Sequence, residues 1–375
     1  FSRYYFTAAG RRTSRLTLRR KLPTFTTPMR QEAYKLLVMQ GTALLLVLFA
    51  GFQVYTAVTT ESYIDANEIY YQYYMKHVQG PMTQEKVDWL NEQNKEFEPI
   101  HRLNAALSAN EIGGQEYQMM MQAYGGLQQK MMVFQNVVSK AQMLSEKPGS
   151  QMVYETGWLK LFDTQDRQDL QDSLWLALLC AVSFSSLFAM EQQTGMIKVI
   201  STMPLGKRFT VRCKLILTLV CSAGFALLGV LPRFWVTIRD YGLGTWLAPV
   251  YSIPDYAAAP GIPLFLMAAL LVFSRFLAVF CMAVVTLALS QRIGNTFGAM
   301  FLSLALFSFA PLLSLSGLTA AKWYSIYLPV HVCAMLSQPG GMVLCIFMLL
   351  ILSGICYLSI EYLQRDFGSV RGRKT

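Results

Sequence analysis

Residue types that carry chemistry are few and scattered in this sequence. Histidine occurs only at His77, His101 and His331, and none has a carboxylate, serine or cysteine at a spacing typical of a catalytic or metal site. The segment 206–208 (GKR) is not a phosphate loop, because it lacks the upstream glycine-rich turn and the hydroxyl residue that binds magnesium. We therefore predict that this chain is not an enzyme and binds no cofactor or metal of its own.

The seven cysteines also indicate no reactive site. Six of them lie in or beside apolar runs, which is typical of small packing residues in a membrane. Cys333 lies in a connection without an evident partner, and residues 59–172 contain no cysteine. No C-x-x-C or Cys/His spacing predicts zinc, and the pattern indicates no disulfide framework.

One charged residue, Arg275, lies inside an apolar run. It is about 11 residues, or about 16 Å, into the run 264–289. A central arginine costs on the order of 3 kcal/mol by insertion scales, so it should face the bundle interior, a water-filled cavity or an anionic group. Because no acidic residue falls inside a predicted span, we expect a backbone carbonyl, a lipid phosphate, a partner subunit or an anionic part of a substrate beside it. Arg275 is thus a candidate residue of a translocation path, and the alternative is a shifted span from which it snorkels outward.

The elements that position these residues are apolar helices. Apolar residues make up 54% of the 375 residues and charged residues only 14%, which argues against a soluble enzyme. Because the first apolar run begins after about 35 residues and is too long for a signal-peptide core, we expect no secretory signal. Six runs are each long enough for a transmembrane helix of about 20 residues, at 36–58, 173–190, 214–236, 264–289, 295–316 and 341–360.

Charge is divided unevenly along the chain. Residues 59–172 carry 16 acidic and nine basic residues, whereas the rest of the chain carries six acidic and 23 basic residues. Most of these basic residues lie in the arm 1–35, in the loop after the second span, at Arg292 and in the tail 361–375, and these regions alternate with the other connections. Since short cytoplasmic loops collect Lys and Arg, we predict that both termini are cytoplasmic and that 59–172 lies outside. The net charge of +10 therefore reports orientation and not a nucleic-acid partner.

Residues 59–172, here called the insert, have the patterns of packed helices. Gly113-Gly114 falls between two helical stretches, so we predict a helical hairpin or small bundle with a link at these glycines. A heptad seam is formed by residues at 3-4 spacing, Tyr117, Met120, Tyr124, Leu127, Met131, Phe134, Val138 and Ala141. The methionines of this region are either an adaptable surface for apolar partners or the internal packing of the hairpin, at Met119, Met120, Met121, Met131 and Met132.

The loop between the second and third spans, 191–213, is amphipathic. It contains apolar residues from Met196 to Ile200, is interrupted at Pro204, and leads through basic residues into the next span. A rigid, partly apolar segment of this kind is suited to docking a soluble partner. The alternative is an ordinary positive-inside loop that lies on lipid headgroups.

This loop resembles that of the type-2 ABC transporter permeases. Glu191, Gly195, Pro204, Arg208 and Lys214 stand in the order E-x3-G-x8-P-x3-R-x5-K, which is similar to the family pattern in which an acidic residue closes the second helix. The arm, the six spans and the large insert after the first span agree with the same architecture. The expected fold is an all-α integral membrane protein of about six transmembrane helices, with a large helical extracytoplasmic insert between helices 1 and 2.

The resemblance implies a permease subunit of an ATP-driven transporter, and specifically of an exporter. A separate nucleotide-binding subunit would bind ATP and magnesium and hydrolyse the ATP. The implied coupling helix is 194–203, and the arm segment 28–34 would border the same subunit. The implied coupling residues are Glu191, Gly195, Met196, Ile197, Ile200, Pro204 and Arg208.

The resemblance also implies the surroundings of the chain. A second six-helix unit, which is an identical copy, a different protein or a fused half, would complete the translocation path. The expected location is the bacterial plasma membrane, with lipids and no nucleic acid as partners. The alternative is a non-transporting sensor or scaffold whose outer helical domain binds a ligand or an envelope protein.

Overall fold

The computed structural model describes residues 28–59, 65–145, 147, 149–162, 166–202, 206–318, 321, 324–327, 332–336 and 338–366. Within these ranges the chain is helical and contains two isolated bridges but no strand. The helices of the first half are α1 (Pro28–Tyr34), α2 (Thr42–Thr59), α3 (Ala66–Val78), α4 (Gln84–Asn94), α5 (Glu98–Ser108), α6 (Gly114–Ala123), α7 (Gly125–Ser145) and α8 (Glu155–Phe162). Those of the second half are α9 (Asp166–Phe184), α10 (Ser186–Gln193), α11 (Met196–Thr202), α12 (Gly206–Tyr241), α13 (Leu264–Ile293), α14 (Thr296–Leu315), α15 (Val332–Leu336) and α16 (Gly341–Asp366).

Six helical segments of the described chain are long and apolar enough to cross a membrane. Each overlaps one of the predicted apolar runs, so the all-α class and the number of candidate spans are confirmed. The segments are Thr42–Thr59, Asp169–Gln193, Arg208–Tyr241, Leu264–Ile293, Thr296–Leu315 and Gly341–Arg365.

Two span boundaries differ from the sequence-based prediction. The α-helix of the first span begins at Thr42 and not at residue 36, because Lys35–Met39 forms a π-helix and Gly41, at φ +73°, interrupts the chain. The second span begins earlier than predicted, which brings Asp169 and Asp172 into it. The prediction that no acidic residue lies inside a span is therefore wrong.

The six candidate spans form a bundle, here called the membrane body, and helix α13 lies at its centre. It packs against α9, α12, α14 and α16. Half of the residues in its apolar 18-residue stretch are buried, compared with 17% in the corresponding stretches of α2 and α16. The surrounding core includes Phe184, Phe188 and Phe225. A charged residue on the buried side of α13 must therefore be satisfied by neighbouring helices and not by lipid or water.

The second span is broken at Ser185, between α9 and α10. Ser290 of α13 bridges this break, because its hydroxyl donates to the Ser185 carbonyl and accepts from the Ala189 N–H at 3.0 Å. Backbone groups that a helix break frees inside a membrane must find partners within the protein. The break is thus fixed by the central helix.

The insert forms a helical bundle around its own core. Helix α3 packs along α7, and the core contains Tyr74, Phe97 and Phe134. The chain turns between α5 and α6 at Gly113, where the sequence predicted a link. The predicted seam is interrupted at Tyr124, where α6 ends before α7 begins, so it is not one continuous helix face.

The methionines of the insert divide between two environments. Met121 and Met131 are buried in the bundle core, whereas Met119, Met120 and Met132 are exposed. Internal packing therefore accounts for two of the five, and the other three form part of the surface.

Helix α8 joins the insert to the membrane body. Its Trp158 is fully buried, and the indole N–H donates to the Gly244 carbonyl beyond the end of α12 at 3.2 Å. The same cluster contains Ile253 and the first turns of α13. All seven cysteines are described and all are free thiols, so neither the insert nor the body is crosslinked by a disulfide within the chain.

Candidate functional site

Two networks of buried charges lie at opposite ends of the membrane body. The loop end is the one at which the loop 191–213 connects the second and third spans, and the insert end is the one at which α8 connects to the insert. Each network contains residues that the sequence indicated as functional.

At the loop end, Glu191 and Lys214 form a buried ion pair. The Nζ atom of Lys214 lies 2.7 Å from Oε1 of Glu191, Lys214 is 0% exposed and Glu191 is 3% exposed. Lys214 also donates to the Leu187 carbonyl, so both of its hydrogen-bond acceptors lie on α10. The pair joins the end of α10 to α12 and closes the base of the loop between them.

The arm completes this network with a second pair of opposite charges. Lys35 Nζ lies 2.8 Å from Glu32 Oε1 and 3.8 Å from Glu191 Oε1, and Glu32 Oε2 lies 3.5 Å from Lys214 Nζ. Two carboxylates and two ammonium groups therefore balance, which buried ions require. The sequence analysis missed Glu32 and Lys35, although their i, i+3 spacing in the amphipathic arm indicates two charges on one helix face.

Gly195 sets the direction of the chain as it leaves α10. Its φ is +72°, and no atom lies within 4 Å of the position that a Cβ would occupy. The left-handed backbone, and not a lack of space, is therefore what favours glycine here. The chain then enters the short helix α11, which lies within the predicted coupling helix 194–203.

One face of helix α11 packs on the membrane body, and the other face is exposed. Ile197 and Ile200 pack against the membrane core, whereas Met196 is 44% exposed and Val199 is 59% exposed. Positions three apart share a face of a helix, which explains why the two pairs point in different directions. The result is an anchored helix that presents apolar side chains outward.

The remaining loop residues lie at the start of α12 or outside the described chain. Arg208 is exposed in the first turn of α12. Pro204 lies outside the described residues, so its predicted role in ending the amphipathic segment has no structural counterpart here. The structure thus brings Glu191, Gly195 and α11 together and leaves Arg208 open to a partner.

At the insert end, Arg275 is paired with an acidic residue of the second span. Its Nη2 atom lies 2.8 Å from Oδ2 of Asp169, and both side chains are buried. Arg275 also donates to the Tyr327 carbonyl at 3.5 Å, so the expected backbone carbonyl is present, whereas the carboxylate beside it was not expected. Asp169 was assigned to the acidic insert because the predicted apolar run begins at residue 173, whereas α9 begins at Asp166 and the candidate span at Asp169.

A second arginine and a glutamine extend this network. Arg233 Nη2 lies 2.7 Å from Asp172 Oδ2, and Arg233 Nη1 lies 3.7 Å from Asp169 Oδ1. Gln53 donates to Asp172 Oδ1 at 2.6 Å. The network therefore joins the first four spans and balances two aspartates with two arginines.

The network leaves little free space around Arg275. The Cζ atom of Arg275 lies 4.4 Å from the centre of the Tyr327 ring. A cavity of about 20 Å³ is lined by Asp172, Arg233, Arg275 and Tyr327, which is room for about one water molecule. In this conformation Arg275 thus faces fixed protein groups. The i, i+3 spacing of Asp169 and Asp172 predicts that both lie on one helix face, but it does not identify the arginines that this face meets.

The contacts given above join carboxylates and cations in both networks, with one amide and one phenol ring in the network at the insert end. Their chemistry is the fixing of helix positions by charge pairs. No protein-family model, no curated protein and no solved structure matches the chain.

Proposed function

We propose that this chain is the membrane subunit of an ATP-driven exporter of the type-2 ABC class. The observation that carries this proposal is the loop end, where α11 exposes Met196 and Val199 while Ile197 and Ile200 hold it against the body. An apolar, exposed and anchored helix is a docking element for a folded partner. A loop that only lay on headgroups would not need the buried Glu191–Lys214 pair at its base.

The proposed orientation follows the distribution of basic residues. The arm, the loop 191–213 and both termini face the cytoplasm, and the insert lies outside the plasma membrane. A separate nucleotide-binding subunit docks on α11 and Arg208, binds ATP and magnesium, and supplies the hydrolysis. A second six-helix unit, whether a copy of this chain or a different one, faces the first and completes the translocation path.

In this proposal, the network around Arg275 lies at the outer end of the path. It holds the first four spans together in the conformation described here, and Arg275 and Arg233 are the groups that an anionic part of a cargo would meet when the helices separate. The support for this role is the position of four ionised side chains within candidate spans, which is costly unless they are functional or tightly paired.

The composition of the native complex tests the proposed function. The tagged chain is purified from its own membranes in mild detergent, and the mass and subunits of the complex are determined. We expect two six-helix units, a nucleotide-binding subunit and magnesium-dependent ATP hydrolysis in the same peak. A complex that contains no nucleotide-binding subunit and hydrolyses no ATP would contradict the proposal.

A second candidate function is a non-transporting sensor whose insert binds a ligand. The observation in its favour is a groove of about 520 Å³ between α3, α7 and α8. This function requires no ATPase, so the same purification separates it from the exporter.

A further inference from the structure

The insert and Pro254 form an open groove lined mostly by polar side chains. The groove lies between α3 and α7 and is bordered on its third side by α8 and Pro254. Its volume of about 520 Å³ falls within the range of about 300–1,000 Å³ typical of small-molecule pockets. None of its residues belongs to the two charge networks of the membrane body.

Two carboxylates of the groove are held by a crossed pair of tyrosines. Tyr71 of α3 donates to Glu155 Oε2 at 2.6 Å, and Tyr154, next to Glu155, donates to Glu68 of α3. The two rings lie 5.8 Å apart. Each carboxylate is thus fixed by the partner element before any ligand arrives, which lowers the cost of binding.

One buried lysine balances only one of these carboxylates. Lys140 donates to the Val153 carbonyl at 2.6 Å, to the Tyr71 hydroxyl at 3.2 Å and to Glu155, which uses all three of its N–H donors. Burial lowers the pKa of Lys140, and Glu155 opposes this change. Lys140 is therefore committed to Glu155.

Glu68 keeps a negative charge that no described cation neutralises. It lies in the first turn of α3. No salt bridge joins Glu68 to a lysine or arginine of the described chain, and it is only partly buried. The group of Glu68, Glu155 and Lys140 therefore has a net charge of −1, in an insert that is acidic as a whole.

The other groove residues suit the backbone and side chains of a peptide. The side-chain amide of Asn136 makes no hydrogen bond within the described residues and can both donate and accept, as a peptide group requires. Met143 and Pro254 provide an apolar border on the same groove. A ligand that combines one positive charge with amide and apolar groups matches this lining.

We propose that the groove binds a short peptide through a free ammonium group, which pairs with the Glu68 carboxylate. Asn136 meets the peptide backbone, and Met143 contacts an apolar side chain. The site is formed by the insert and Pro254 and contains no residue of the loop end, so it exists whether or not the chain couples to an ATPase. It is also the site that would select a cargo or a signal outside the membrane, if the proposed orientation holds.

Calorimetric titration of the full chain in detergent tests this site. The probe is alanyl-leucyl-alanyl-leucine amide with a free N-terminus, compared with its N-acetylated form. We expect the acetylated peptide to bind about tenfold more weakly, because it loses a charge-assisted hydrogen bond. Equal affinity of the two forms, or no measurable binding of the free amine, would overturn the proposal.

A matched pair of variants locates the bound ammonium. Glu68→Gln removes the charge but keeps an acceptor for Tyr154, whereas Glu116→Gln makes the same change in the first turn of α6 at an exposed position. We expect about tenfold weaker binding for Glu68→Gln and unchanged binding for Glu116→Gln, with the same thermal unfolding for all three proteins. Unchanged binding by Glu68→Gln would show that the ammonium binds elsewhere.

A lipid headgroup is another source of an ammonium group. O-phosphorylethanolamine serves as the headgroup probe in the same titration. We expect it to bind more weakly than the free-amine peptide, because its phosphate brings negative charge to a groove that is already negative. Tighter binding of this probe would make the natural ligand a lipid headgroup and overturn the assignment to a peptide.

Discussion

Lys214 and Glu191 are 23 positions apart in the sequence, yet their Nζ and Oε1 atoms lie 2.7 Å apart in the buried base of the loop. The pair fixes the end of α10 against α12, and the chain between them contains α11. In the proposed exporter, α11 is thereby connected to both the second and the third span. This rigid connection is what a coupling element requires.

Replacement of Lys214 tests how much the loop end depends on this pair. Lys214→Met keeps the apolar stem but leaves Glu191 buried with only Lys35 as a more distant cation, at 3.8 Å. We expect the free energy of unfolding to fall by about 3–5 kcal/mol, which is typical when one partner of a buried pair is removed. Chemical denaturation in detergent, followed by tryptophan fluorescence, measures this loss.

The control for this experiment removes both charges. In Lys214→Met with Glu191→Gln no buried carboxylate is left without its partner, so we expect most of the lost stability to return. If the double variant is as unstable as the sum of the two single variants, the two side chains do not interact as described.

At the insert end, the pair of Arg275 and Asp169 predicts coupling between two spans. Arg275→Gln and Asp169→Asn should each destabilise the chain, because each removes the nearest opposite charge from a buried group. Among the described residues, Asp169 is then left with only Arg233 at 3.7 Å, or Arg275 with no carboxylate in contact. The double variant should be more stable than the sum of the single losses by about 1 kcal/mol or more. Strictly additive losses in the same denaturation assay would contradict the pairing of α13 with α9.

Much of the membrane body was predictable from local properties. The lengths of the apolar runs predicted all six candidate spans, because a helix needs about 20 consecutive apolar residues to cross the hydrocarbon core of a bilayer. Local pattern also accounts for two features of the loop. A glycine stands at the left-handed position 195, and the 3.6-residue helix period separates the packed Ile197 from the exposed Met196.

The charge networks were not predictable in the same way. Asp169 and Asp172 follow an acidic stretch, so composition alone assigns them to the insert. Only the packing of α9 against α12 and α13 shows that Asp172 pairs with Arg233 and Asp169 with Arg275. Glu32 likewise reaches Lys214 through the packing of α1 on α12. Sequence spacing gives the face of a helix but not the neighbour that this face will meet.

The insert carries a buried hydroxyl that predicts a dependence on pH. Tyr74 is fully buried, and its hydroxyl has no hydrogen-bond partner among the described residues. Burial raises the pKa of Tyr74, and the charge of Glu96 raises it further. Above pH 10 the unfolded chain loses this phenolic proton whereas the folded chain keeps it, so the free energy of unfolding falls as pH rises.

Tyr74→Phe should remove this effect. At pH 7 we expect the variant to be as stable as the original protein or more stable by about 1 kcal/mol, because no hydrogen bond is lost. Between pH 10 and 11 the difference in its favour should grow by about 1 kcal/mol. Denaturation at several pH values measures this, with the exposed neighbour Tyr73→Phe as the control, and parallel pH profiles for all three proteins would contradict the prediction.

The proposed exporter function depends on α11 as the docking helix for an ATPase subunit. Met196→Asp places a charge on its exposed apolar face, and Met119→Asp makes the same change at a methionine of the insert that is 68% exposed. Each tagged variant is purified in parallel with the original chain, and the magnesium-dependent ATP hydrolysis that elutes with it is measured per mole of chain. We predict that Met196→Asp loses at least about 90% of this activity, consistent with the loss of a central interface anchor, whereas Met119→Asp retains it. Equal ATP hydrolysis in the two variants and the original chain would contradict the proposal that an ATPase subunit docks on α11.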